Sequence, residues 1–299
     1  MSLMHSIIFN NVMKSKKTYI AGAVDYEKRR RNEVEQVRFV RVPKCIRVQN
    51  GTMNGVPVEK LVKKGNPTDK IIYYIHGGGF VTGSSFVRRN LTTYMAKKFG
   101  LNVISVDYRL APEHPFPAAP EDCLKVYEKL IQKYDSNNIV VAGESAGGNL
   151  VLSLLLQIKE KDLPYPAGTF AMSPTVQYDR EFGSYRYNRN TECCLENLSE
   201  EVCNTYLKNL DKNQIQNPMA APYYGDYTGC TPVYLYVSNA EVLLDDSLIM
   251  YEKLKAEGVE TTLYRRDGMM HAWMIIPMFR ESKADLKLLS QDMQKVLYK

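Results

Sequence analysis

Ser145 stands in Gly143-Glu144-Ser145-Ala146-Gly147, a G-x-S-x-G pattern with the apolar run Ile139 to Ala142 before it and Leu150 to Leu156 after it. A serine hydroxyl is a weak nucleophile until a base takes its proton and the backbone holds it out toward a substrate. A sharp turn from strand to helix does the second. Small neighbours relieve the crowding, and the helix start supplies free N–H groups and a positive dipole end. The competing reading is a glycine-rich turn that only packs helix on strand. The strand-like and helix-like flanks favour Ser145 as the nucleophile of acyl transfer.

Two further stretches supply what such a nucleophile needs. His76-Gly77-Gly78-Gly79 follows the apolar run Lys70 to Ile75. The tetrahedral intermediate of acyl transfer carries an oxyanion, and glycines let backbone N–H groups approach it without side chains in the way. A phosphate-binding loop would require G-x-x-x-x-G-K-[ST] or G-x-G-x-x-G, and neither is formed by these residues. The third stretch, Asp267-Gly268-Met269-Met270-His271, lies after the run Thr261 to Arg265. Of the four histidines (5, 76, 114 and 271), only His271 follows the nucleophile, as the order Ser, acid, His requires. It is the expected general base.

Elements must position these groups, and the hydrophobic pattern gives them. Residues 34 to 63 read as paired strands, with turn signals at Asn50-Gly51 and Asn54-Gly55. Strands are then expected at 70–75, 101–107, 139–142, 169–173, 233–238 and 261–265. Helices are expected near 87–99, 118–134, 146–159, 246–257 and 281–298. Such alternation predicts a mostly parallel sheet, covered on both faces. Residues 176 to 230, rich in Tyr, Asn, Cys and charge, fit no strand-helix unit and read as an insertion over the carboxyl edge of the sheet, where active sites of open α/β sheets lie. Tyrosines 178, 185, 187, 223, 224 and 227 would line a polar entrance there or pack the insertion onto the body.

Between the two glycine motifs, Val106 to Ala118 reads VDYRLAPEHPFPA. Together with His76 to Gly79 and Gly143 to Gly148, this stretch closely resembles the hormone-sensitive-lipase-like, HGGG-motif branch of α/β-hydrolase esterases, and the resemblance extends over most of the chain. It implies the α/β-hydrolase fold with about eight strands, in one domain spanning 1–299, and a helical cap built from about 1–35 and about 176–230. It implies hydrolysis of small carboxylic esters with no metal and no organic cofactor. By the family pattern the oxyanion donors fall on Gly78, Gly79 and Ala146, while His76 and the segment 107–118 hold loops in place.

The acid departs from that pattern. Where the family usually has D-P-L-x-D-E, this chain has Glu241-Val242-Leu243-Leu244-Asp245-Asp246, so Glu241 takes the place of the catalytic aspartate. A glutamate carboxylate can still accept the Nδ1 proton of His271. Asp245 and Asp246 precede a helix and are explained by capping and by the helix dipole. Phe80 and Trp273, beside the glycine loop and the histidine, are pocket candidates. An arylformamidase-like amidase could use the same nucleophile, and a small-molecule receptor on this fold would bind without turnover, though receptors of this kind lack the histidine that this chain keeps.

Composition bounds the rest. With 44% hydrophobic and 24% charged residues, the chain can bury one large core. No apolar run of about 18 residues is present, so no stable membrane insertion is expected. The start of the chain lacks the apolar core of an export signal, and six cysteines (45, 123, 193, 194, 203 and 230) show no C-x-x-C spacing, which points to reduced thiols in the cytoplasm. Vicinal Cys193 and Cys194 are expected as ordinary packing residues. Of the net charge of +6, residues 1–50 carry eleven Lys and Arg against four Asp and Glu. The run Lys28-Arg29-Arg30-Arg31 could steer anions but reads better as a solvated helix face, and no aromatic platform for nucleic acid accompanies it. A homodimer is compatible with the sequence and not required by it.

Overall fold

The computed structural model describes residues 25–66, 68–178, 183–192, 194–195, 204–211 and 214–299. Eight strands form one sheet: β1 (Ile46–Met53), β2 (Val56–Lys63), β3 (Ile71–Ile75), β4 (Asn102–Val106), β5 (Ile139–Glu144), β6 (Gly168–Met172), β7 (Val233–Ser238) and β8 (Thr261–Arg266). Their order across the sheet is β1-β2-β4-β3-β5-β6-β7-β8. The β1–β2 and β2–β4 pairings are antiparallel, and the remaining ones are parallel. Helices α1 (Tyr26–Val37), α2 (Arg89–Lys98), α3 (Ala118–Ile131), α4 (Ala146–Glu160), α5 (Ser184–Tyr187), α6 (Leu244–Ala256) and α7 (Arg280–Leu297) connect and cover it.

Strand periodicity divides the core in two. In β3, Ile71, Tyr73 and Ile75 join one cluster, with Leu124 and Tyr127 of α3, Leu150 and Leu154 of α4, and Met250 and Leu254 of α6. Ile72 and Tyr74 point to the other face, against Leu91 and Met95 of α2 and Leu286, Leu289 and Met293 of α7. A strand buried on both faces has no polar side to show, which is why these segments read as continuous apolar runs. Each large side chain so buried contributes about 1.5–3 kcal/mol. Helix α4 is buried along almost its whole length, as a helix apolar on all sides must be.

The chain leaves β3 through α2 to β4 on one side, then returns through α3 to β5 on the other. The order therefore reverses between β3 and β5, and open α/β sheets place their ligand sites at such a point, outside the carboxyl ends of the strands. The parallel register sets Ile75 beside Gly143, so the loops carrying His76 and Ser145 leave the sheet side by side.

Two expectations need correction near the amino terminus. Paired strands do not begin at residue 34, because α1 extends to Val37 and Asp25 caps it by accepting the Lys28 N–H at 2.8 Å. Of the two Asn-Gly signals, only Asn54-Gly55 turns the chain, with φ of 48° and 82°. Asn50 and Gly51 lie within β1, paired with Glu59 and Val58. Two turns cannot close one hairpin, and the later one leaves longer strands to pair. Residues 1–24 of the expected cap, and Cys193 and Cys203, lie outside the described residues. Cys194 is exposed, contrary to its expected packing role. Among the described residues, no helix is long and apolar enough to cross a membrane.

Candidate active site

Ser145 occupies the turn between β5 and α4 with φ 56° and ψ −119°, a region that L-residues with side chains avoid. The surroundings hold it there. Its N–H donates to Met172 O at 2.8 Å, and its carbonyl accepts from Asn149 N–H at 3.0 Å. Helix α4 begins so close to β3 that a Cβ on Gly147 would lie 2.1 Å from Ile75 O, which only glycine permits. Ala146 is the first helical residue, so its N–H has no carbonyl partner within the helix. Phe80, Ser173 and Ala272 also have positive φ, at 62°, 47° and 50°. Backbone strain of this kind gathers where the surrounding structure fixes a functional geometry.

The glycine loop packs against that turn. Gly78, at φ 124°, could carry no side chain, since a Cβ would meet Thr82 O at 2.3 Å. Its carbonyl accepts from Val81 and Thr82 N–H at 3.2 and 2.9 Å, which closes the loop. His76 is buried and stacks on Tyr108 with ring centroids 4.3 Å apart, and Tyr108 donates to His76 O at 2.9 Å. Burial pushes the His76 pKa down, which favours the neutral ring. Asp107 accepts from Ser85 N–H and Oγ–H at 2.6 and 2.7 Å, fixing the far side of the loop.

The expected acid and base, Glu241 and His271, meet each other. His271 Nδ1 lies 2.5 Å from Glu241 Oε2, and both residues are buried. Glu241 Oε1 accepts from Ser173 Oγ–H at 2.8 Å and from Ser238 N–H at 2.7 Å, while Asn188 donates to the Glu241 carbonyl at 2.9 Å. A carboxylate on Nδ1 selects the tautomer whose Nε2 lone pair is free. Nε2 is buried and makes no hydrogen bond among the described residues, so the bond to Ser145 is not formed in this state. Such bonds commonly close only with substrate bound.

Burial alone would lower the pKa of His271, but the hydrogen bond and charge of Glu241, with the charges of Glu192 and Glu144 behind it, outweigh burial and raise it above the ordinary 6.5. The consequence has opposite signs for activity and stability. In the expected role of general base only neutral His271 can take a proton, so kcat/KM should fall as pH drops through an apparent pKa above 6.5. The folded protein binds this proton more tightly than the unfolded chain, so the pair's contribution to stability is full below the unfolded pKa and disappears as pH rises through the folded one. A pH series of kcat/KM on a soluble ester, with its acid limb at or below the ordinary histidine value, would refute this.

The structure also shows groups that no sequence pattern marked. Glu144 Oε1 accepts from Gly77 N–H and Arg88 Nε–H at 2.7 and 2.6 Å, and Oε2 accepts from Tyr74, tying the nucleophile turn to the glycine loop. Glu192, also buried, accepts from Cys194 and Val242 N–H at 2.7 and 3.1 Å and links the insertion to the loop that carries Glu241. Arg30 does not sit on a solvated face. Its guanidinium donates to Val81 O and Ala111 O at 2.7 Å each and pairs with Glu113, and Glu33 accepts the Gly83 N–H at 3.0 Å. Asp245 and Asp246 lie in the first turn of α6, where the helix dipole favours them, but do not cap it through their side chains. Asp245 accepts from Ser184 N–H at 2.7 Å and Tyr187, and Asp246 from Val176 N–H at 2.7 Å and Tyr185, so they fasten the insertion.

The two pocket candidates are both buried, in the core clusters on opposite faces of the sheet. Phe80 follows the glycine run and stacks on Tyr206 of the insertion, with ring centroids 3.8 Å apart. Trp273 instead lies in the core on the α7 side, its indole N–H on Asp285 at 2.8 Å. Among the described residues, no group of three or more His, Cys, Asp or Glu is placed to hold a metal ion.

The same fold recurs among known proteins. A family model described as the alpha/beta hydrolase fold matches residues 72–275. An esterase of Acinetobacter venetianus is 33% identical over 241 residues, covering 78% of each chain. An acetyl-hydrolase of Streptomyces hygroscopicus is 29% identical over 71% of each. A crystal structure of an esterase from the bacterial hormone-sensitive lipase family superposes with a TM-score of 0.91 at 28% identity, covering 99% of both chains. The chain belongs to the α/β-hydrolase fold family, in its hormone-sensitive-lipase-like branch of esterases. It is a carboxylic ester hydrolase.

Proposed function

We propose that this hydrolase works through a serine mechanism on small esters with short acyl groups. His271 takes the Ser145 proton through Nε2, and Oγ attacks the ester carbonyl. Gly78, Gly79 and Ala146 N–H groups hold the oxyanion, and the alcohol leaves with the proton from His271. Water, deprotonated by the same imidazole, then hydrolyses the acyl-enzyme. The observation that carries this reading is the Glu241–His271 pair, which leaves Nε2 bare on the carboxyl edge of the sheet that also bears the strained Ser145 turn.

The short-acyl preference is supported by the packed aromatic bulk that directly follows the proposed oxyanion donor Gly79. Phe80 is buried and clamped on Tyr206, which also meets Phe116 edge-on at 5.9 Å. The acetyl-hydrolase relative points the same way. Residues up to about 35 and about 176–230 would form the cap, since α1 and the insertion both bond to the loops around the site. The test is kcat/KM across p-nitrophenyl esters from acetate to decanoate, alongside p-nitroacetanilide. Peak efficiency is expected at acetate or butyrate, with the anilide slower by at least about a hundredfold, or ~2.7 kcal/mol. Peak efficiency on decanoate would overturn the acyl preference, and equal rates on the anilide the ester preference.

A further inference from the structure

Glutamate in the acid position poses a physical problem. It has one more rotatable bond than aspartate, so more side-chain freedom must be removed before its carboxylate presents a fixed face to His271. The structure removes that freedom through a residue on another strand. Ser173 directly follows β6, is fully buried, and is held at φ 47° with its N–H on Tyr236 O at 2.7 Å. Its hydroxyl donates to Glu241 Oε1 at 2.8 Å and accepts from Ala272 N–H at 3.3 Å. Ala272 follows the base and is itself left-handed, at φ 50°. One hydroxyl thus joins the loop of the acid to the loop of the base, and two of the strained residues around the site meet through it.

We propose that Ser173 is a positioning residue for the reaction, its hydroxyl locking the Glu241 carboxylate and the His271 loop in mutual register. The proposal rests on the Ser145–His271–Glu241 reading given above. The second donor on Oε1, the Ser238 N–H, belongs to a residue whose hydroxyl donates to Met269 O at 2.6 Å, so it ties the acid to the start of the base loop but cannot tie it to the residue next to His271. Ser173 can, because β6 lies beside both β5, which carries Ser145, and β7, which carries the acid. The hydroxyl also engages a lone pair of Glu241 Oε1. A carboxylate with fewer donors shares the Nδ1 proton more strongly, so losing the hydroxyl should raise the affinity of His271 for its second proton. The charged groups facing the imidazole are Glu241, Glu192 of the insertion and Glu144 of the nucleophile turn.

The test compares Ser173→Ala and Ser173→Gly with the unaltered enzyme. Alanine removes the hydroxyl. Glycine removes it too and also relieves the left-handed backbone, which guards against a variant that is slow only because it is strained or unfolded. Both should lower kcat about ten- to a hundredfold, the cost of one hydrogen bond to a charged group, with KM within about threefold because Ser173 is fully buried. Both should move the acid limb of kcat/KM to higher pH. Rates are taken per Ser145 titrated with a fluorophosphonate, so misfolded protein does not count. If the unaltered enzyme takes up no probe at Ser145, the underlying triad reading fails. If it does and either variant keeps kcat within twofold with an unmoved acid limb, Ser173 has only a structural role and the proposal is overturned.

Discussion

Ser145→Ala should lower kcat on a short-chain ester by on the order of 10⁶, with little change in thermal stability. Alanine tolerates the left-handed turn no worse than serine does, and the half-buried hydroxyl is not what holds the turn. The holding bonds run through the backbone, from Ser145 N–H to Met172 O and from Asn149 N–H to Ser145 O. His271→Ala should cost about as much, and the double variant no more than either single one, because nucleophile and base act as a unit. A fluorophosphonate should add its mass to the Ser145 peptide of the folded enzyme and leave the alanine variant unmodified. A Ser145→Ala protein that keeps more than about one part in a thousand of kcat would mean that the reaction does not pass through this hydroxyl.

The parts of this site that were legible in the sequence share one property: their chemistry depends on local backbone conformation. The turn at Ser145 and the glycine loop at His76 to Gly79 need small residues at fixed offsets between a strand and a helix, and such offsets are written in the chain. The parallel sheet was legible for a similar reason, since strands buried on both faces must be apolar at successive positions, as Ile71 to Ile75 are. What could not be read joins residues far apart. Ser173 meets Glu241 across 68 positions, Arg88 meets Glu144 across 56, and Glu33 meets Gly83 across 50. No periodicity links such pairs. Trp273 shows the converse error. It stands two residues from His271 in sequence, yet the left-handed Ala272 between them turns the chain, and the indole goes to Asp285 on the α7 side of the sheet.

Glu241→Gln should lower kcat by about 10⁴, although glutamine has nearly the shape of glutamate. An amide on Nδ1 can donate to it, which places the imidazole proton on Nε2, the atom that must accept from Ser145. The imidazolium formed during attack also loses its counter-charge. Glutamine is the cleaner substitution here, because Glu241→Ala would strand the Ser173 hydroxyl, the Ser238 N–H and the His271 Nδ1–H in a buried site, at about 1–3 kcal/mol for each unsatisfied group. Asp245→Ala makes the contrast. It deletes a carboxylate that accepts from Ser184 N–H and Tyr187, so it should loosen the insertion and reduce stability by about 1–3 kcal/mol while leaving kcat per folded molecule within about tenfold. Removing the negative charge also takes away the main influence that raises the His271 pKa, so the residual activity of Glu241→Gln should keep its acid limb at lower pH than the unaltered enzyme. The two readouts separate the carboxylates: if Asp245 were the acid, its replacement would produce the 10⁴ loss and the shifted limb, and Glu241→Gln would show neither.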